Sequence, residues 1–323
     1  MMGRRRWTVG VDFGGTNVKV GLVGPDGHVV GRRVVSSGQR EDPTRFIEDV
    51  GKAAEELTRA VGARPSQLLG LGVGAPGPVD VERGVVRSLV NVPGWEAVPL
   101  RRRLERRVRC RCAVDNDANL FALGEWRFGA GRGFRHLVGM TLGTGVGGGL
   151  ILNGILHRGT TWAAGEIGHM VVHPAGPRCG CGGRGCLEAY VGTAAILRMA
   201  RRAIRQSTGP LRTLAAQAGG RMTPALIHQA ARRGDAAAQQ IWAEVGCWLG
   251  VAMANLVKLL GPDLIVIGGG VARAWRWFSP SMLRTVRGQA QRFMAEEVRV
   301  VQGRLGDDAA MVGAAVLVWD TNR

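Results

Sequence analysis

The sequence predicts an α/β protein built of two similar halves, and three observations carry that reading. A strand–glycine–strand pattern at Val9-Gly10-Val11-Asp12-Phe13-Gly14-Gly15-Thr16 recurs about 130 residues later, where Leu137 to Leu142 runs into Gly143-Thr144-Gly145. A third glycine cluster, Gly268-Gly269-Gly270, ends the apolar stretch Leu264 to Ile267. Between these strands lie long segments whose apolar residues recur at helical spacing.

Each element follows from local pattern. Trp7 to Asp12, Val18 to Val23 and Val29 to Val35 read as three successive strands, with Gly24-Pro25-Asp26-Gly27 as a turn. Pro43 to Gly62 reads as a helix with Phe46, Ile47, Val50, Ala54 and Leu57 on one face. Leu69 to Gly74 is a short buried strand. Leu100, Leu104 and Val108 keep helical spacing. Val108, Cys110, Cys112 and Val114 then alternate with other residues, which predicts a strand aimed at Asp115-Asn116-Asp117. Gly147 to Leu152 is the strand after the second glycine turn, with Gly154 at its far end. Helices fill much of 192 to 260, and Asp308 to Trp319 reads as a closing helix.

A chain of 323 residues has room for two domains at about 100–200 residues each. Its 46% hydrophobic and 21% charged content is that of a globular chain. The net charge of +18 raises nucleic acid, membrane surface and acidic substrates as partners. All but three of the 43 basic residues are arginine, however, and they are scattered along the chain. The seven arginines between 101 and 111 read as a solvated helix face and an exposed strand face. We therefore expect no specific nucleic-acid partner. No secretory apolar core follows Arg4-Arg5-Arg6. The longest apolar stretch, Val245 to Gly270, is interrupted by Asn255, Lys258 and Gly261-Pro262-Asp263, so it reads as buried helix, turn and strand, without a membrane span. The expected location is the cytoplasm, where six cysteines are thiols or metal ligands.

Three groups of residues carry chemistry. Asp12-Phe13-Gly14-Gly15-Thr16-Asn17-Val18-Lys19 places a carboxylate at a strand end, followed by glycines and a hydroxyl. Glycine lets backbone N–H groups turn inward toward phosphate oxygens, and the carboxylate suits Mg²⁺ through water. Together with Gly143-Thr144-Gly145 and Gly268-Gly269-Gly270, this suggests a nucleotide gripped between two domains. It is neither a Walker A loop nor a helix-opening dinucleotide fingerprint. Cys179-Gly-Cys181-Gly-Gly-Arg-Gly-Cys186, with His169 ten residues upstream, has the donor set of a structural Cys₃His zinc site. Cys110, Cys112 and Cys247 read as core thiols. Finally, Glu166, His169 and Glu188 bracket the cysteine loop. Polar groups so placed suit a polyhydroxylated ligand.

On these residues, together with Gly72-Val73-Gly74-Ala75-Pro76-Gly77-Pro78-Val79-Asp80 and Asn91-Val92-Pro93-Gly94-Trp95, the chain resembles the ROK (repressor, open reading frame, kinase) family of sugar kinases. That family lies within the actin and hexokinase superfamily of ATPases. The resemblance spans about residues 7 to 319. It implies an α/β fold of two actin-like, ribonuclease-H-like domains with a deep interdomain cleft. The smaller domain would hold 1–116 and the closing helix 307–323, and the larger would hold 117–306 with the zinc loop.

The resemblance also implies ATP-dependent transfer of phosphate to the 6-hydroxyl of glucose, a glycolytic step. Asp117 would be the catalytic base. Gly74, Asn91, Asn116, Glu166, His169 and Glu188 would line the sugar. Asp12, Gly14, Gly15, Thr16 and Lys19 would form the first phosphate site, Thr144 and Gly145 the second, and Gly268 and Gly269 the adenosine contact. His169, Cys179, Cys181 and Cys186 would hold Zn²⁺, and Mg²⁺ would accompany ATP. The family's habit implies a homodimer or larger homo-oligomer. Other family members phosphorylate fructose, mannose, N-acetylmannosamine or N-acetylglucosamine, or use polyphosphate. A sugar-sensing repressor would need a helix-turn-helix before the first phosphate motif, and only about ten residues precede it here.

Overall fold

The computed structural model describes residues 7–14, 17–35, 42–89, 92, 94–206 and 208–321. In chain order the first elements are β1 (Trp7–Phe13), β2 (Val18–Val23), β3 (Val29–Val35), α1 (Pro43–Ala60), β4 (Leu68–Ala75), β5 (Val79–Asp80), β6 (Val85–Val86), α2 (Leu100–Val108), β7 (Cys112–Asn116) and α3 (Asp117–Phe128). Next come β8 (Leu137–Leu142), β9 (Val146–Leu152) and β10 (Ile155–His157). A helical series follows: α4 (Glu188–Val191), α5 (Thr193–Ile204), α6 (Pro210–Gln217), α7 (Pro224–Arg232) and α8 (Ala236–Leu260). The chain closes with β11 (Leu264–Gly268), α9 (Trp275–Gln289), α10 (Arg292–Glu297), β12 (Arg299–Gln302) and α11 (Ala309–Asp320).

The expected internal repeat is present in the topology. One sheet has the order β3-β2-β1-β4-β7 and the other β10-β9-β8-β11-β12. In each, three successive strands form a meander, and the first of them also borders the next long strand. In the first sheet β1–β2 and β2–β3 are antiparallel, whereas β1–β4 and β4–β7 are parallel. Parallel pairs need crossovers, and α1 and α2 supply them.

The chain forms two compact units, one comprising 1–139, 149–165 and 303–323, the other 140–148 and 166–302. The first unit thus extends well past residue 116, where the sequence placed a boundary. The reason is α3, which lies against α11: a Cβ at Gly124 or Gly313 would strike the backbone of the other helix, so these helices touch main chain to main chain. α11 itself is buried from Ala309 to Val318 apart from Ala310. It presses on β1 and β4 at Gly10 and Gly72, where a Cβ would overlap the carbonyls of Met311 and Ala314. The core of this unit also holds an aromatic trio, Phe13, Phe46 and Trp95, with ring centroids 4.5–5.3 Å apart.

In the second unit, α8 is the one described helix long and apolar enough to cross a membrane by length and composition. It packs on α9, where Ser281 Oγ donates to the Ala243 carbonyl at 2.8 Å and Gly246 leaves room for the Phe278 carbonyl. Three expectations need correction. The alternating stretch from Val108 does not begin as a strand: Arg109 adopts a left-handed conformation (φ 54°) that ends α2, and β7 starts at Cys112. Cys247 is exposed on α8 and is not a core thiol. Among the arginines of α2, Arg107 is not merely solvated, since it pairs with Glu48 and Glu55 of α1 at 2.8 and 2.6 Å.

Candidate active site

In the first unit, strand register collects the expected residues in one row. Lys19 faces Asp12, Asp12 faces Gly74, and Gly74 faces Asp115, across β2, β1, β4 and β7. This row lies at the carboxyl ends of the three parallel strands, where α/β sheets bind ligands. Asp12 Oδ2 lies 3.9 Å from Lys19 Nζ. Burial raises the Asp12 pKa above the usual carboxylate range, Lys19 opposes the rise, and Asp307 adds to it. A buried carboxylate at the end of β1 suits a hydrated cation. Gly15, Thr16 and Asn91 lie outside the described residues.

One step along β7, Asn116 caps α3. Its Oδ1 accepts from the N–H groups of Ala118 (2.9 Å) and Asn119 (3.2 Å), and its Nδ2 donates to the Gly77 carbonyl at 3.2 Å. One amide hydrogen remains for a ligand. Asp117 is the first residue of α3, and its Oδ1 accepts from Ala118 N–H at 2.8 Å. Gly74 matters here by its size: a Cβ would sit 3.2 Å from Asp117 Cα.

The second unit holds the rest. Gly143 N–H donates to the Gly145 carbonyl at 3.0 Å, closing the Gly143-Thr144-Gly145 turn. Thr193, at the start of α5, donates its hydroxyl to the Gly143 carbonyl at 2.7 Å. Glu188 Oε2 accepts from Val146 N–H at 2.9 Å, so the glutamate after the cysteine loop is tied directly to the phosphate-type turn. A Cβ at Gly145 would displace that carboxylate from its present position. Gly268 ends β11, and Gly269 (φ 85°) packs against the Leu142 backbone just before the same turn.

His169, Cys179, Cys181 and Cys186 converge, with their ligand atoms all within 4.8 Å of one another. Cys181 Sγ to Cys186 Sγ is 3.7 Å, and Cys179 Sγ to His169 Nδ1 is 3.6 Å. A tetrahedral ion with metal–sulfur bonds of about 2.3 Å and metal–nitrogen bonds of about 2.0–2.1 Å gives edges of roughly 3.8 and 3.6 Å. The donor set therefore fits such an ion. Burial raises the Cys179 thiol and pushes Cys186 up to about 12, so a cation is what would hold them as thiolates. The Gly183 N–H lowers Cys181. With Nδ1 on the cysteine side, His169 Nε2 faces Glu166 Oε2 at 3.9 Å, and Glu188 Oε1 lies 3.9 Å from Cys179 Sγ. The ligand cluster thus touches both glutamates.

The family model described as "ROK family" matches residues 8–321. The chain belongs to the ROK family. It is 37% identical over 314 residues to a glucokinase of Thermotoga maritima, covering 96% of each chain. A glucokinase of Halalkalibacterium halodurans is 35% identical over 321 residues, covering 97% of this chain and 95% of that one. Among solved structures, a ROK family glucokinase from Streptomyces griseus in complex with glucose and AMPPNP superposes with a TM-score of 0.85 at 32% identity, covering 97% and 99% of the two chains. The fold is that of the ROK sugar kinases, the actin-like ATPase fold.

Sequence reasoning missed two participants in the first row. Asp307 precedes α11 and acts on Asp12. Arg158 is one arginine among forty, and nothing local to it signals that its partner is Asp115, 43 positions away.

Proposed function

We propose that the chain is an ATP-dependent glucokinase, a hexokinase-type phosphotransferase that converts glucose to glucose 6-phosphate and so feeds glycolysis. The observation that carries this is Asp117, a carboxylate at the helix start beside a row of phosphate-type residues, in a chain more than a third identical to a glucokinase over 96% of its length. Asp117 takes the proton from the sugar 6-hydroxyl as that oxygen attacks the γ-phosphorus and the bond to the β,γ-bridging oxygen breaks, releasing ADP. Asn116, Gly74, Asn91, Glu166, His169 and Glu188 orient the sugar. Asp12, Gly14, Gly15, Thr16 and Lys19, with Thr144 and Gly145, hold the phosphates, and Gly268 and Gly269 the adenosine. Phosphoryl transfer leaves little covalent work to the protein, so the task of these groups is alignment and charge stabilisation.

Asp12 would hold the Mg²⁺ that accompanies ATP, and that ion would supply positive charge to the phosphates. Zn²⁺ on His169, Cys179, Cys181 and Cys186 is structural, because four protein donors leave no open position. We take the location to be the cytoplasm, where reducing conditions keep cysteine as thiol or metal ligand. We take the working form to be a homodimer or larger homo-oligomer, without specific nucleic-acid or membrane partners.

The decisive experiment compares glucose, mannose, fructose, N-acetylmannosamine and N-acetylglucosamine, each with ATP and with polyphosphate. Glucose with ATP should have the highest kcat/KM, and ATP should exceed polyphosphate by more than about tenfold, or about 1.4 kcal/mol. A higher kcat/KM with an N-acetylhexosamine, or equal use of polyphosphate, would overturn the assignment.

A further inference from the structure

Asp115 stands immediately before Asn116 and Asp117, is 1% exposed, and has four donors on its carboxylate. Oδ1 accepts from Asn116 N–H at 2.7 Å and from Asn119 Nδ2 at 2.9 Å. Oδ2 accepts from Arg158 Nε at 2.8 Å and from Nη2 at 2.7 Å. An ordinary surface ion pair contributes little and leaves water on both partners. Here a buried carboxylate depends on one guanidinium for its charge balance, and loss of that partner would strand the charge.

Arg158 is also the first residue of a connector, 158–165, that leads from β10 straight into Glu166. The connector contains no helix or strand. It is closed by Ala164 N–H donating to the Arg158 carbonyl at 3.0 Å. Within it Trp162 holds a left-handed backbone (φ 63°), flanked by Gly159 at 67° and Gly165 at 92°. An indole-bearing residue adopts that conformation only where its surroundings over-determine it. The side chain of Arg158 therefore anchors one end of the strained connector to the strand that bears Asn116 and Asp117. The other end of the connector delivers Glu166.

We propose that Arg158 is a positioning residue of the sugar site. Through Asp115 it fixes the β7–α3 corner that aims Asp117. The inference rests on the sugar-kinase reading above. Both Nε and Nη2 are used, so the orientation of the guanidinium matters as well as its charge, and lysine would replace it only in part.

Three forms test this: wild type, Arg158→Met, which keeps the apolar stem, and Arg158→Lys, which keeps the charge. Arg158→Met should lower kcat/KM for glucose by about 100-fold, the scale of a misplaced reacting group. The loss should divide between a raised KM for glucose and a lowered kcat, with KM for MgATP within about twofold of wild type, since the phosphate groups are not anchored by Arg158. Arg158→Lys should recover about tenfold of that loss, because charge returns without the two-pronged geometry. If Arg158→Met does not fold, Arg158→Lys at unchanged Tm should still show a raised KM for glucose alone. Wild-type efficiency in Arg158→Met, equal losses toward sugar and MgATP, or a loss matching the unfolded fraction would each overturn the inference. A wild-type enzyme inactive on every sugar would instead overturn the kinase reading, so the two failures are distinct.

Discussion

The two regions assigned to the sugar are held in place by different physics. The Asp117 corner of the first unit belongs to regular structure. β7 is registered against β4, α3 begins on an asparagine cap, and α3 lies against the buried α11. Glu166, His169 and Glu188 of the second unit sit on a single 3₁₀ turn and a one-turn helix, joined by a glycine-rich cysteine loop. Such short elements do not stand alone. Packing, hydrogen bonds and the buried Asp115–Arg158 pair hold the corner, whereas on the proposed reading the loop is held by an ion on its Cys₃His cluster. One proposed sugar site thus has an ion-independent part and an ion-dependent part, and variants should separate them.

The largest effect should come from the corner. Asp117→Asn keeps the shape and hydrogen-bonding reach of the side chain but cannot accept the proton. Removal of a general base costs about 10²–10⁴ in rate. Glucose binding, measured by calorimetry, should stay within a few-fold of wild type while kcat falls. Retention of more than about a third of wild-type kcat would exclude Asp117 as the base.

Next in size is the loop. Metal analysis of the freshly purified protein should find one zinc per chain. Cys181→Ser should lower Tm and raise the KM for glucose by about 10–100-fold, the range seen when groups around a metal are disturbed. Structural zinc contributes roughly 10–16 kcal/mol of apparent binding free energy in small domains at neutral pH, so its loss should be felt beyond the loop. The corner needs no ion, so kcat at saturating sugar should fall less than KM rises. A zinc-free wild type of full activity would remove the distinction between the two regions.

A smaller effect tests the tie between the cysteine loop and the phosphate-type turn. In Gly145→Ala the new methyl would collide with the Glu188 carboxylate and break its hydrogen bond to Val146 N–H. On the proposed roles, Glu188 on the sugar side and Gly145 on the nucleotide side, KM for glucose and for MgATP should rise together, by about tenfold each if each loses roughly 1.4 kcal/mol. A rise confined to one substrate would show that Glu188 does not join the two functions.

The same contrast explains what the sequence made legible. β2, β3 and β8 have the bounds that their apolar pattern predicts, with the Gly24 to Gly27 turn between the first two and Gly143 directly after the third. The convergence of His169 with the three cysteines is legible because these four residues lie close together along the chain. The corner was readable only as a motif, since what fixes it is distant in sequence: Arg158 on Asp115, and Gly74 yielding space to Asp117. The false strand start at Val108 has a local cause. Apolar alternation continues through Arg109, but its left-handed backbone turns the chain before Cys112 enters the sheet. Alternation records burial, and a turn can satisfy it as well as a strand does.

Asp12 gives the smallest effect, and it sharpens the account of the first unit. Its carboxyl pKa is raised in the fold, chiefly by burial, with Asp307 adding and Lys19 opposing. The folded chain therefore binds this proton more tightly than the unfolded chain does. Below the ordinary aspartate pKa of about 3.9 the group is protonated in both states and costs nothing. As pH rises through the raised folded value, the buried charge develops and stability is lost. At pH 7, without Mg²⁺ or nucleotide, Asp12→Asn should accordingly melt higher than wild type, by about 1–4 °C for a shift near 1 kcal/mol. The gap should close as the pH is lowered toward 4. Saturating MgATP should reverse the order, because a ligand that binds only the wild-type folded state raises its Tm by mass action. A variant that melts below wild type at pH 7 in the ligand-free state would mean that the Lys19 pairing outweighs the burial of Asp12. That result would make the first phosphate turn a stabilising element, without the strain of a site kept ready for a cation.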